Sequence, residues 1–252
     1  AQTGLDTAFF PGCSLAAYGP ELTREIFQTM DELADGKLTM VDSCCGSSLK
    51  SAGFYDRAEA LCDRNADELV AAGAKELVCV CPGCANDMRK ALAKRGIDVE
   101  VRLLADWLHE RGFAPKHPLP DGPLCLSKSC QDRDGTYLEQ TRAALGIDEG
   151  AASIFHGCCG AGGAVSAFDP ARQAQQADGK MSFAPDGATV VTMCPTCTYT
   201  YAYRLMEEPR NVVNKHYCEL MFDSQFDWDK TFAQLGGMWS GEYGPWLAQV
   251  FA

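Results

Sequence analysis

Two sets of five cysteines, in the same order and at nearly the same spacing, constrain this chain more than any other feature. Cys13 is followed by the pair Cys44-Cys45 and then by Cys81 and Cys84; Cys130 is followed by the pair Cys158-Cys159 and then by Cys194 and Cys197. A glycine follows each pair, and a proline follows the first cysteine of each CxxC. Cys158 lies 114 residues after Cys44, and Cys194 lies 113 after Cys81. Flanking residues keep step: Phe54 with Phe168, Val101 with Val213, Leu108 with Leu220. So steady an offset means one structural unit of about 110 residues present twice.

Within the first unit, Phe9-Phe10 reads as a strand leading into Cys13. Leu22, Ile26, Phe27, Met30 and Leu33 keep helical spacing over 20–34. Leu38 to Val41 reads as a strand ending at the cysteine pair. Phe54, Ala58, Leu61, Cys62 and Leu69 mark a helix that Gly73 stops. A buried strand over Leu77 to Val80 leads into a helix at Cys81–Cys84, followed by a strand through Val99, Val101 and Leu103 and a short helix over 106–111. The second unit repeats the order: strand at Leu124, helix 136–145, strand 153–155, helix near 170–180, strand 190–193, helix from Cys197, strand at 212–213, helix from His216. Such alternation predicts an α/β fold of two pseudo-equivalent βαβ repeats with parallel sheets. Each cysteine group then sits at a strand's carboxyl end, where such sheets collect ligands.

The expected division is a first repeat over 1–117, a second over 118–225 opening on a Pro/Gly-rich linker, and an aromatic tail over 226–252. Each repeat is expected to have its own core. The tail carries Phe226, Trp228, Phe232, Trp239, Tyr243, Trp246 and Phe251. It reads either as a partner-docking element, since aromatic anchors are enriched at interfaces, or as a segment packed on its own core.

Composition narrows the chemistry. With 22 Lys+Arg against 34 Asp+Glu the net charge is −12, and no basic run exists to replace the counterions of a nucleic acid. The longest uncharged run, Gly150 to Phe168, holds five glycines and two adjacent cysteines, so no transmembrane segment is expected. The chain reads as soluble and cytoplasmic. In a reducing compartment its 14 cysteines point to metal or redox chemistry rather than to disulfides.

A cubane [4Fe–4S] cluster or a structural zinc ion needs four thiolates, and each repeat offers five. Neighbouring residues can hardly place both sulfurs on one iron, which suits a larger or irregular cluster. The glycines after the pairs allow a sharp turn and a close approach to it. Zinc in one half is the alternative. Cys62, Cys79 and Cys218 read as core residues. Cys125 lies in its strand and Cys130 just beyond it, as Cys13 does in the first unit; Cys130 is preferred, with Cys125 kept open. His156, two residues before Cys158, is a candidate proton donor, set against a hydrogen-bonded structural role.

PGC around Cys13, the two CCG turns and the two CPxC turns resemble the cysteine-rich CCG-domain family, best known from the CCG-bearing subunit of heterodisulfide reductase. The resemblance spans about residues 7–222. It implies a noncubane [4Fe–4S] cluster in each half, one on Cys13, Cys44, Cys45, Cys81 and Cys84, the other on Cys130, Cys158, Cys159, Cys194 and Cys197. It also implies an iron–sulfur redox subunit of a multi-subunit oxidoreductase that reduces or forms a disulfide/thiol-type substrate. The alternative is a non-catalytic subunit passing electrons to quinone in a lactate-, glycolate- or succinate-type dehydrogenase complex, and a second is a zinc-stabilised scaffold. The ferredoxin run C-x₂-C-x₂-C-x₃-C is missing, so electrons are expected to come through ferredoxin-like or flavin-containing subunits, which would also mediate any peripheral membrane association.

Overall fold

The computed structural model describes residues 5–162 and 165–240. The first half runs β1 (Thr7–Phe10), α1 (Gly12–Tyr18), α2 (Pro20–Leu33), β2 (Leu38–Met40), α3 (Ser47–Ser51), α4 (Tyr55–Ala72), β3 (Glu76–Cys79), α5 (Pro82–Lys94), β4 (Glu100–Leu103) and α6 (Leu104–Glu110). The second runs β5 (Leu124–Ser127), α7 (Thr136–Ala144), β6 (Ser153–Phe155), α8 (Val165–Phe168), α9 (Pro170–Met181), β7 (Ala188–Thr192), α10 (Pro195–Glu207), β8 (Val212–His216), α11 (Cys218–Met221) and α12 (Trp228–Ser240). The expected order of strands and long helices is present. The short helices α1, α3 and α8 are additions, too brief to show a sustained 3.6-residue period, and so is the 13-residue α12 in the tail, which reads from the sequence only as an aromatic segment.

Each half folds its strands into one all-parallel sheet, in the orders β2-β1-β3-β4 and β6-β5-β7-β8. In both, the chain moves outward from the first strand, then doubles back past it. That reversal opens a crevice at the carboxyl ends of the central strands. The central strands β1 and β7 are buried along their whole length, as expected of strands covered on both faces. Chain punctuation is local. Gly73 ends α4 in the left-handed conformation, and Asp169 caps α9 by accepting from the Arg172 N–H at 2.9 Å with Pro170 next in line.

The expectation of a separate core in each half is corrected. Phe9, Ile26 and Trp107 belong to one apolar cluster with Leu126, Tyr137, Val191, Tyr217 and Phe222 of the second half. A smaller cluster, containing Cys125, Phe155, Ala177, Val190 and Tyr201, lies on the other side of the second sheet. Successive residues of a strand face opposite ways. Leu126 and Val191 therefore join the shared core, while Cys125 and Val190 join the smaller one.

Phe226, Trp228 and Phe232 of the tail pack inward. The Trp228 ring lies 4.8 Å from that of Phe226 and 6.0 Å from that of Tyr18, and Phe232 meets Tyr199 at 5.7 Å. Tyr243, Trp246, Phe251 and the side chain of Trp239 fall outside the described part. Among the described residues no helix is long and apolar enough to cross a membrane.

Candidate functional site

The cysteines stand where strands give way to helices. Cys13 lies in the first turn of α1 just past β1, and Cys44-Cys45 in the turn after β2. Cys81 caps α5 and Cys84 occupies its first turn. In the second half Cys130 follows β5, Cys158-Cys159 follow β6, Cys194 caps α10 and Cys197 lies in its first turn. In both CxxC segments proline takes the first helical position, where no N–H is needed. The positive ends of two 13-residue helices thus point at the thiols.

The CCG turns are shaped by packing. Gly46 holds φ +76° and Gly160 φ +81°, a region costly for other residues. A Cβ on Gly46 would lie 2.8 Å from the Ala58 carbonyl oxygen of α4, and one on Gly160 2.9 Å from that of Gln173 in α9. The close approach expected of these glycines is therefore to a helix backbone. Their N–H groups face back toward the pair, 3.4 Å from Cys44 Sγ and 3.3 Å from Cys158 Sγ.

All ten candidate cysteines line one cavity of about 390 Å³ between the halves. Within the first half, Cys13 and Cys44 Sγ lie 3.5 Å apart and Cys45 and Cys84 Sγ 3.3 Å apart. In the second, Cys159 and Cys197 Sγ lie 3.2 Å apart and Cys130 hydrogen-bonds with Cys158. Cys81 and Cys194 Sγ meet across the halves at 3.7 Å. These two occupy equivalent positions, so the pseudo-twofold axis passes between them. Ser14 Oγ lies 3.1 Å from Thr196 Oγ1, and the symmetry-related contact sets Gln131 against Gly83. Among the described residues the rest of the lining is hydroxyl- or amide-bearing, small or apolar, without a charged side chain. Among them, too, no three His, Cys, Asp or Glu side chains are arranged to hold a single metal ion; the cysteines converge as pairs around a larger space.

Hydrogen bonding divides the thiols by charge. Contacts with Cys13 and Cys45, and the Gly46 N–H, hold Cys44 down at about 2. Cys130, Cys159 and the Gly160 N–H do the same for Cys158, with the Lys180 ammonium adding to the effect. The Cys197 thiol, Cys81 and the N–H groups of Cys197 and Thr196 lower Cys194. Their partners go the other way: Cys45 is pushed up to about 12 by Cys44, and Cys159 to about 11 by Cys158.

Cys130 stands on the cavity wall, whereas Cys125 is buried in β5 opposite Val190. Cys79 and Cys218 are fully buried. Cys62 is only half-buried, and its thiol donates to the Cys45 carbonyl at 3.2 Å, directly behind the site. His156 is exposed and lies off the cavity lining. Sequence reasoning passed over Ser14, Ser47, Ser48, Ser129 and Thr196 on the wall, although each sits within four residues of a candidate cysteine. It also passed over Asn65 and Lys180, which reach the cysteine turns from α4 and α9. No local pattern marks these two, since the contact of α4 and α9 with the cysteine turns is made by packing.

The profile of the CCG family, "Cysteine-rich domain", matches residues 7–89 and 125–201. An uncharacterized iron–sulfur protein of Methanococcus maripaludis is 26% identical over 204 residues, covering 76% of this chain and 40% of that protein. One subunit of the fumarate reductase (CoM/CoB) of Methanothermobacter marburgensis is 24% identical over 207 residues, covering 77% of this chain and 41% of that protein. The chain thus spans about two-fifths of the length of these curated relatives. Among solved structures, glutamate racemase isoform RacE1 from Bacillus anthracis superposes with a TM-score of 0.42 at 14% identity over 94% of this chain and 82% of that one, too distant to bear on function.

Proposed function

This chain belongs to the CCG cysteine-rich domain family, and on that premise we propose that it is an iron–sulfur redox subunit of a multi-subunit oxidoreductase. The carrying observation is that ten cysteines from two repeats line a single cavity. In this reading residues 1–117 and 118–225 are the two repeats. Cys13, Cys44, Cys45, Cys81 and Cys84 hold one [4Fe–4S] cluster of noncubane type, and Cys130, Cys158, Cys159, Cys194 and Cys197 hold the other.

The residues present suit such groups. Five soft thiol donors per half exceed what one tetrahedral ion can use. The helix ends of α5 and α10 and the N–H groups of Gly46 and Gly160 supply positive potential for an anionic centre. Once bound, the clusters would supply one-electron chemistry at iron that can also take a substrate sulfur. The chain's own part is to hold the two halves of the cavity face to face, with Cys81 and Cys194 at their junction. Ser14, Ser129, Gln131 and Thr196 offer hydrogen bonds to whatever enters, and the carbon-rich remainder of the wall limits water. The proposed substrate is a disulfide or thiol, with electrons delivered by ferredoxin-like or flavin-containing partners.

A second reading, electron transfer to quinone, is favoured by the uncharged lining, which suits a neutral molecule. Metal analysis tests the shared premise. Protein prepared without oxygen should carry about eight irons and matching labile sulfide per chain, from two four-iron clusters. Stoichiometric zinc without sulfide overturns the proposal. A substrate thiol that perturbs the cluster's EPR signal favours the first reading; a response only to quinone favours the second.

A further inference from the structure

The halves differ in charge beneath their cysteine pairs. Gly46 packs on Ala58 of α4 and Gly160 on Gln173 of α9, so the two helices correspond at an offset of 115 residues. At that offset Asn65 matches Lys180. Fully buried Asn65 donates from Nδ2 to the Cys44 carbonyl at 2.9 Å. Lys180, 4% exposed, donates from Nζ to the carbonyls of Gly157 at 3.0 Å and Lys128 at 2.8 Å. One turn therefore rests on a neutral amide and the other on an ammonium.

Nearby carboxylates do not erase the difference. Asp178, two residues before Lys180, is turned to Arg204 of α10 at 2.8 Å. In the first half, Lys50 lies 3.5 Å from Asp87, and exposed Arg64 reaches Glu68 and Ser43. Adding an electron to a cluster adds negative charge, and a buried positive charge close by stabilises it more than a dipole does. Net local charge and hydrogen bonding are among the levers that set a cluster's potential.

We propose that Lys180 makes the second-half site the more readily reduced of the two, so that the first electron to enter the cavity settles on the Cys158-Cys159 side. The inference rests on the two-cluster reading above. The step is a single electron passing from a one-electron donor to the second-half cluster; no bond forms or breaks. Lys180 is a positioning residue for charge, since it touches the turn's carbonyls and reaches no substrate.

A redox titration of the whole chain with dithionite, followed by EPR and visible absorption, tests this. Two reductive steps are expected, and the one missing from Cys159→Ser should be the step at higher potential. Lys180→Gln should lower that step alone, and Lys180→Arg should largely retain it. Asn65→Lys should raise the other step. The step lost in Cys159→Ser decides the matter even where a Lys180 variant does not fold: if it is the lower one, the assignment fails. It also fails if folded Lys180→Gln leaves both potentials unmoved. Iron-free protein, or protein with one cluster only, overturns the two-cluster reading and this assignment together.

Discussion

The third residue of each CCG triplet illustrates how much one position can carry. Gly46 and Gly160 need glycine for two reasons, a positive φ and a helix backbone within 3 Å of where a Cβ would stand. Gly53 has only the first reason, since it holds φ +90° with nothing within 4 Å. Gly53→Ala should therefore cost about 1 kcal/mol, the ordinary penalty for the left-handed region. Gly46→Ala or Gly160→Ala should cost about 2–4 kcal/mol, because α4 or α9 must move as well. Thermal unfolding of the three variants at equal metal loading measures the gap, at roughly 2–4 °C per kcal/mol for a chain of this size. Equal losses at Gly46 and Gly53 would remove the packing argument.

Elements are joined across the halves by a few polar ties at the partly exposed margin of the shared core. Glu25 on α2 receives Lys116 Nζ at 2.7 Å and the N–H groups of Asp223 and Ser224 at 3.0 and 2.7 Å, pinning α2 to the segment between α11 and α12. Burial pushes its carboxyl up, but those donors outweigh burial and hold it at about 2, against an ordinary 4.5. A lowered acid stabilises the fold fully above 4.5, and the contribution fades as pH falls toward 2. Glu25→Gln should destabilise the protein at neutral pH by about 1–2 kcal/mol through loss of charge-assisted hydrogen bonds. The difference in urea midpoint from wild type should narrow as the solution is acidified below 4.5. A constant difference across that window would assign the effect to packing instead.

At the scale of the whole molecule, the duplication did not produce two independent bodies. Trp107 and Phe9 share a core with Tyr217 and Phe222, and Tyr18 of α1 stacks on Tyr199 of α10 at 4.8 Å. Asn86 of α5 donates to the Gln131 carbonyl at 2.7 Å. Residues 1–117 expressed alone should therefore bind ANS and aggregate, because burying large apolar side chains is worth about 1.5–3 kcal/mol each and the partners that bury them are missing. Co-expression with 118–252 should restore a soluble, co-purifying pair. A folded, monomeric first half with a cooperative transition would show that the shared core is dispensable.

The sequence alone determined the repeat, the strand–helix alternation and the ten cysteines, because each is written locally or at a fixed offset. Strands β5 (LCLS) and β7 (ATVVT) show no clean apolar/polar alternation and are buried on both faces, so their pattern could not say which face would meet the other half. Only the tertiary structure placed Leu126 on one side and Cys125 on the other. It also decided that the two cysteine sets share one cavity, with Cys81 and Cys194 on the axis. Spacing along the chain carries no information about how two sheets dock. The charge under each cysteine pair was equally out of reach, since Asn65 and Lys180 lie some twenty residues from the turns they support. They meet those turns because α4 and α9 fold back against Gly46 and Gly160, a contact set by packing rather than by any local pattern.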